Sequence, residues 1–157
     1  MRGGKSSLFE AGTRVPWIVS WPEKIKPGVS DAMICQVDLL SSFANLLKIK
    51  LPIGDAMDSE DMLNALLGKS PKGRSVLVEQ GLLSTALVKD KWKYIEANNR
   101  PAMNLHTNTE MGNNQQAQLY DLKNDIGEKN NLAEKYPLIV NELNSLLQKI
   151  RERKGVK

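Results

Sequence analysis

Thr85-Ala86-Leu87-Val88-Lys89-Asp90-Lys91-Trp92-Lys93-Tyr94-Ile95-Glu96 is the stretch that decides the fold of the second half of the chain. Residues 85–88 and 92–96 are rich in β-branched and aromatic side chains. They flank the polar triplet Lys89-Asp90-Lys91, so the pattern predicts an antiparallel hairpin. Ser75 to Glu79 reads as a strand before it, and Gln118 to Leu122 as a strand after it. Between them, residues 100–116 are polar and carry few apolar anchors. They read as a long loop, and long loops in small domains tend to be functional or mobile. Pro137 suits the first position of a helix. Ile139, Val140, Leu143, Leu146, Leu147 and Ile150 give that helix one broad apolar stripe. The order β-β-β-loop-β-α predicts a small antiparallel four-stranded sheet packed by a C-terminal helix.

The first half is organised differently. Residues 14–21 (Arg-Val-Pro-Trp-Ile-Val-Ser-Trp) read as a buried strand closed by Pro22. Asp38 reads as the N-cap of a helix whose apolar residues are Leu39, Leu40, Phe43, Ala44, Leu46 and Leu47. A second short helix is predicted over 59–67, stopped by Gly68 in a left-handed cap. The polar, turn-rich stretch 69–74 then separates two regions, 1–70 and 71–157. One strand and two helices do not close a domain, and a lone buried strand needs neighbours on both edges. The chain therefore reads as part of a larger α/β fold, with an α+β character of its own.

Composition narrows the function classes. The 157 residues are 41% apolar and 25% charged, an ordinary globular balance. No run is long and apolar enough for a transmembrane helix, and residues 1–7 show no leader-like apolar region. Net charge is +4, from 22 Lys and Arg against 18 Asp and Glu. Much of the excess lies at Lys149, Arg151, Arg153, Lys154 and Lys157. Cations suit a helix C-terminus, and no aromatics interleave with them, so no nucleic-acid partner is expected. A single cysteine, Cys35, excludes an internal disulfide and a Cys-based metal cage. A single histidine, His106, excludes a His-rich zinc site.

Several segments carry a family signature. The run Gly4-Lys5-Ser6-Ser7-Leu8-Phe9-Glu10-Ala11-Gly12-Thr13-Arg14-Val15-Pro16 resembles the pattern G-K-x-x-x-[YF]-E-G-G-x-R-V-P of the sulfatases, members of the alkaline phosphatase superfamily. Trp21-Pro22, Lys26-Pro27-Gly28 and Val37-Asp38-Leu39-Leu40 are similar to the stretches that follow it there. Lys91-Trp92-Lys93-Tyr94 resembles the family's W-K-[LY]-I hairpin. Leu119-Tyr120-Asp121-Leu122, with Asp125, Glu128, Asn131, Leu132 and Ala133, resembles its L-Y-D-L-x-x-D-P-x-E-x-x-N-L-A run. Ala11, Ile126 and Ser41-Ser42 depart from the patterns, none of them at a chemical group.

The resemblance implies the C-terminal portion of an arylsulfatase-type enzyme: the end of the alkaline-phosphatase-like catalytic domain (1–70) and a C-terminal subdomain (71–157). Such enzymes are roughly three times this length. They hydrolyse sulfate esters, aryl or glycan, with a formylglycine made from Cys or Ser in C/S-x-P-x-R. Cys35 is followed by Gln36-Val37-Asp38-Leu39 and does not match. The resemblance also implies a divalent cation, calcium by expectation, whose ligands lie outside this chain. The chain alone is expected to be metal-free and inactive, and its uncovered face to self-associate. A secreted or periplasmic enzyme is the implied setting.

Lys5 is the catalytic residue the resemblance carries over, as a ligand of the sulfate oxygens. A fixed ammonium in a dry site stabilises negative charge there. His106 and Arg100 are candidate substrate-binding residues, because a loop of this kind reaches over neighbouring sites and both suit an anion. Glu10 and Arg14 read as a brace, and Asp121, Asp125 and Glu128 as turn and capping residues rather than a calcium loop. Two alternatives stay open: a non-catalytic binding or structural module, and a phosphoryl or phosphonate hydrolase of the same superfamily.

Overall fold

In the computed structural model, described for residues 1–81 and 84–154, the chain divides into two compact units. One joins Met1–Pro16 with Val78–Lys157, and the other is Trp17–Leu77. The four principal strands are β1 (Val76–Gln80), β2 (Thr85–Lys89), β3 (Trp92–Ile95) and β6 (Gln118–Asp121), in the spatial order β1-β2-β3-β6. A small hairpin of β4 (Met103–Asn104) and β5 (Thr109–Glu110) interrupts the predicted long loop. The helices are α1 (Glu10–Thr13), α2 (Asp38–Leu47), α3 (Leu63–Leu66) and α4 (Pro137–Lys154). None of the described helices is long and apolar enough to cross a membrane. Lys157 and the side chains of Arg153 and Lys154, part of the basic tail, lie outside the described residues.

The predicted hairpin is present. Lys89 faces Trp92 across a two-residue turn, with Asp90 at φ 54 in the left-handed region that such tight turns require. The register places Ala86 opposite Ile95, and Lys93 opposite Tyr120. Because strand side chains alternate, two distinct faces result. On one face Ala86, Ile95 and Tyr120 pack with Leu8 and Phe9 of the N-terminal segment. The other face, with Leu87, Tyr94 and Leu119, belongs to α4: Tyr94 donates to Asn144 Oδ1 at 3.3 Å, and Leu143 and Leu147 are buried. The apolar stripe read from the sequence is thus the packing face of α4. The sheet is covered on both sides, once by α4 and once by residues 2–13.

That second cover corrects one expectation. Residues 14–21 form no strand; after α1 the chain runs extended and exposed, with Ile18 91% accessible. The stretch has the side chains of a buried strand, but it pairs with no strand among the described residues. Segment 1–16 packs instead with the unit that contains the sheet.

Within Trp17–Leu77, α2 also differs in detail. Asp38 is its first helical residue rather than its cap, and Val37 stands at the cap without a side-chain bond. The Asp38 carboxylate accepts from Cys35 N (2.8 Å), from Glu60 N (2.9 Å) and from the guanidinium of Arg74. Ser42 Oγ accepts from Met62 N at 2.9 Å. The helix therefore buries Asp38 and Ser42, while Leu40, Phe43 and Leu47 remain exposed. The shorter α3 ends as predicted, with Gly68 at φ 65.

Candidate functional site

Lys5 sits at the second position of a tight turn, closed by Ser7 N donating to Gly4 O at 2.9 Å. Ser6 follows at φ 72, so the turn has the left-handed third residue of a type II geometry. The turn is seated on every side. Ser7 Oγ accepts from Phe9 N at 3.1 Å. A Cβ on Gly12 would lie 2.2 Å from Ser7 O and 2.5 Å from Gly4 O, so only glycine lets α1 support the turn this closely. A Cβ on Gly4 would meet Thr109 Cγ2 at 3.3 Å, which puts the turn beside β5. Leu8 N donates to Met111 O at 3.1 Å, just past that strand.

Arg2 fastens the start of the segment. Its guanidinium makes two 2.8 Å bonds to the Glu110 carboxylate, donates to Glu128 O at 2.9 Å, and lies 4.0 Å above the Phe9 ring. Such a two-pronged, stacked arrangement uses the planar guanidinium in a way lysine does not reproduce. The bond to Glu110 raises the Arg2 pKa above its ordinary value. Ala11 N donates back to Arg2 O at 3.0 Å.

Beneath α1 lies a buried charge cluster. Lys93 on β3 is fully buried. Its ammonium is 2.9 Å from Glu10 Oε1, 2.9 Å from Glu79 Oε2, 3.5 Å from Glu128 Oε1 and 3.4 Å from Thr13 Oγ1. Glu79 Oε2 is close enough for charge attraction but off the hydrogen-bond direction, and Glu128 Oε1 also has no hydrogen bond. Glu10 additionally accepts from Arg14 at 2.8 Å, while Glu128 Oε2 accepts from Glu10 N at 2.6 Å. Two cations, Lys93 and Arg14, thus face three carboxylates. Burial pushes the pKa of Glu79 up, and likewise that of Glu128, against the pull of Lys93. For Glu10, burial opposes ionisation but Lys93 and Arg14 outweigh it and hold the pKa below the ordinary range.

The three candidate residues stand as follows. Lys5 is exposed at the apex of its turn. His106 is exposed in the loop between β4 and β5, where its N–H donates to Asn104 Oδ1 at 3.0 Å. Arg100 is exposed ahead of β4, with its N–H on Asn98 Oδ1 at 3.1 Å. The contact of Gly4 with Thr109 brings the Lys5 turn to the hairpin that carries His106. Sequence reading recognised the Glu10–Arg14 brace but missed Lys93 at its centre. Its alternation with Trp92 and Tyr94 gives it the pattern of a solvated hairpin face, and only the register with Tyr120 places it inside.

Among the described residues no group of His, Cys, Asp or Glu side chains is arranged to hold a metal ion. Asp125 Oδ2 is occupied by Lys129 N and Asn130 N, both at 2.8 Å, and Asp121 by Lys91 and Asn124. These carboxylates do not fit a cation site, so no chemical step is routed through a metal on these residues.

No family model matches the chain. It is 48% identical over 153 residues to the N-acetylgalactosamine-6-O-sulfatase of Bacteroides thetaiotaomicron, covering 97% of this chain and 30% of that protein. It is 31% identical to the ulvan-active sulfatase of Formosa agariphila, over 83% of this chain and 31% of that one. A solved structure from work on glycosaminoglycan metabolism by Bacteroides thetaiotaomicron superposes with a TM-score of 0.93 at 47% identity, covering 96% of this chain and 32% of that chain. The chain therefore spans about a third of the length of the relatives it matches. Those relatives share the alkaline-phosphatase-like fold and belong to a divalent-metal-dependent family. The chain belongs with the sulfatases and corresponds to the C-terminal part of such an enzyme.

Proposed function

We propose that this chain forms the C-terminal part of a sulfatase that hydrolyses sulfate esters of glycans, and that Lys5 binds the sulfate oxygens. The observation that carries this reading is the seat of Lys5. An exposed lysine on an unsupported loop would lose much of its interaction energy to ordering, whereas a turn held by Gly12, Thr109 and Ser7 fixes the backbone from which its ammonium reaches. As the sulfur–oxygen bond to the sugar breaks, negative charge grows on the leaving oxygen and persists on the non-bridging ones. A positioned cation stabilises that charge. His106, between β4 and β5, and Arg100, ahead of β4, are the residues proposed to take a glycan's further anionic groups. The nucleophile and the divalent cation, calcium in this proposal, are supplied by residues outside this chain. Action in the periplasm or outside the cell accompanies the reading.

The test is made in the whole enzyme, with 6-O-sulfated N-acetylgalactosamine as the first substrate. Lys5→Ala lowers kcat by about 10²–10³-fold, the loss seen when one charge-stabilising donor is removed. Unchanged kcat in that variant would refute the role. A rise in KM with kcat unchanged in His106→Ala would support a substrate-binding role for His106.

A further inference from the structure

We propose that Lys93 is the positioning residue for Lys5, acting through Glu10 and Gly12. The proposal rests on the reading that Lys5 binds sulfate. Lys5 itself is exposed, so what the fold can fix is its turn. That turn rests on Gly12, whose missing Cβ brings α1 against the carbonyls of Gly4 and Ser7. Yet α1 is a single turn, Glu10–Thr13, and a helix this short has no stability of its own. Its place is imposed from below. The Lys93 ammonium holds the Glu10 carboxylate at the first residue of α1 and the Thr13 hydroxyl at the last. Glu128 takes the Glu10 N–H.

Lys93 is suited to this because its own backbone is immobile. It lies on β3, paired on one side with β2 and on the other with β6. Packing alone would not select it. The same face is otherwise built from Ala86, Ile95, Tyr120, Leu8 and Phe9, and an apolar residue of similar length would fill the space without a desolvation penalty. What a buried ammonium with directed partners adds is a unique register for the piece it grips, here the one-turn helix under Lys5. A line of contacts thus runs from the centre of the sheet to the turn: Lys93, Glu10, Gly12, then Gly4 and Ser7.

The test is a double-mutant cycle in the whole enzyme, joined to amide exchange on the 157-residue chain. Glu10→Gln removes the charge that Lys93 and Arg14 hold in α1, while leaving Lys93 with Glu79 and Glu128. It is expected to lower kcat/KM by about 10–100-fold, the scale of a misplacement near 1 Å. In a Lys5→Ala background it is expected to lower kcat/KM no further, because the group being positioned is gone. Full multiplication of the two effects would overturn the proposal. In the chain, exchange at Ser7 N and Gly12 N is expected to accelerate about tenfold or more, with Leu132 N, which bonds to Leu119 O, unchanged. Unaltered exchange at Ser7 and Gly12 would also overturn it. If Lys5→Ala leaves activity intact, the sulfate-binding reading fails, and the exchange result alone decides whether Lys93 sets the turn. Should Glu10→Gln release Leu132 as well, Gly12→Ala provides the same cycle without touching a charge.

Discussion

Replacing Lys93 with methionine keeps the length of the side chain and removes its charge from the middle of three carboxylates. Glu10 retains Arg14 at 2.8 Å, but Glu79 and Glu128 lose the one cation that pairs with them among the described residues. With that cation gone, burial pushes the two carboxyls further toward their neutral form. Removing one partner of a buried ion pair costs about 3–5 kcal/mol, a large share of a small domain's stability. The sign of the pH dependence follows. A carboxyl whose folded pKa is raised contributes stability that is complete below the unfolded value and is lost as pH rises through the folded one. The stability difference between wild type and Lys93→Met should therefore widen as pH rises above the ordinary carboxylate range and narrow below it. Urea unfolding followed by Trp92 fluorescence, with Trp17 and Trp21 replaced by phenylalanine, reports on the unit that holds the cluster. A loss below about 1 kcal/mol that is flat from pH 5 to pH 8 would refute the reasoning.

Three further outcomes are expected. Acid should weaken the Trp17–Leu77 unit first at Asp38: burial opposes its ionisation, but Arg74 and the amides of Glu60 and Cys35 hold its pKa below the ordinary 3.8, so its contribution is present above that value and lost as pH falls through it. Asp38→Asn should cost about 3 kcal/mol at neutral pH, and comparing its urea midpoint with that of wild type at pH 7 and pH 3 should show the gap closing; an equal gap at both would contradict this. The isolated chain should self-associate through Leu40, Phe43, Leu47 and their exposed neighbours, and light scattering showing a clean monomer at high concentration would count against it. Leu147→Ala, in the buried stripe of α4, should cost about 2–5 kcal/mol, measured as a drop in the urea midpoint, whereas the exposed Leu138→Ala should be nearly silent.

The sheet and α4 were legible because each local signal agreed with the packing. The 85–96 hairpin has alternation, a polar turn and neighbours in the same chain, and α4 has a stripe that meets the sheet. Residues 14–21 and α2 were only half legible. Both carry the apolar side chains of covered elements, but periodicity does not say what covers them. In α2 the buried side is the polar one, because Asp38 and Ser42 meet backbone amides and Arg74 from later in the chain. Lys93 was hidden for a related reason. A lysine between Trp92 and Tyr94 looks like the solvated side of a hairpin, and nothing local reveals that Glu10, Glu79 and Glu128 converge on it from three distant places. The motif around Lys5 has a physical sense in its glycines: Gly3 takes φ 82, while Gly12 permits a contact no side chain would allow.

The most direct measurement is a structure of the whole enzyme with a sulfated glycan held in a nucleophile-free variant. The Lys5 ammonium is expected within about 2.7–3.1 Å of a non-bridging sulfate oxygen, with the turn still seated on Gly12. A sulfate group bound beyond the reach of Lys5, with the lysine pointing to solvent, would contradict it.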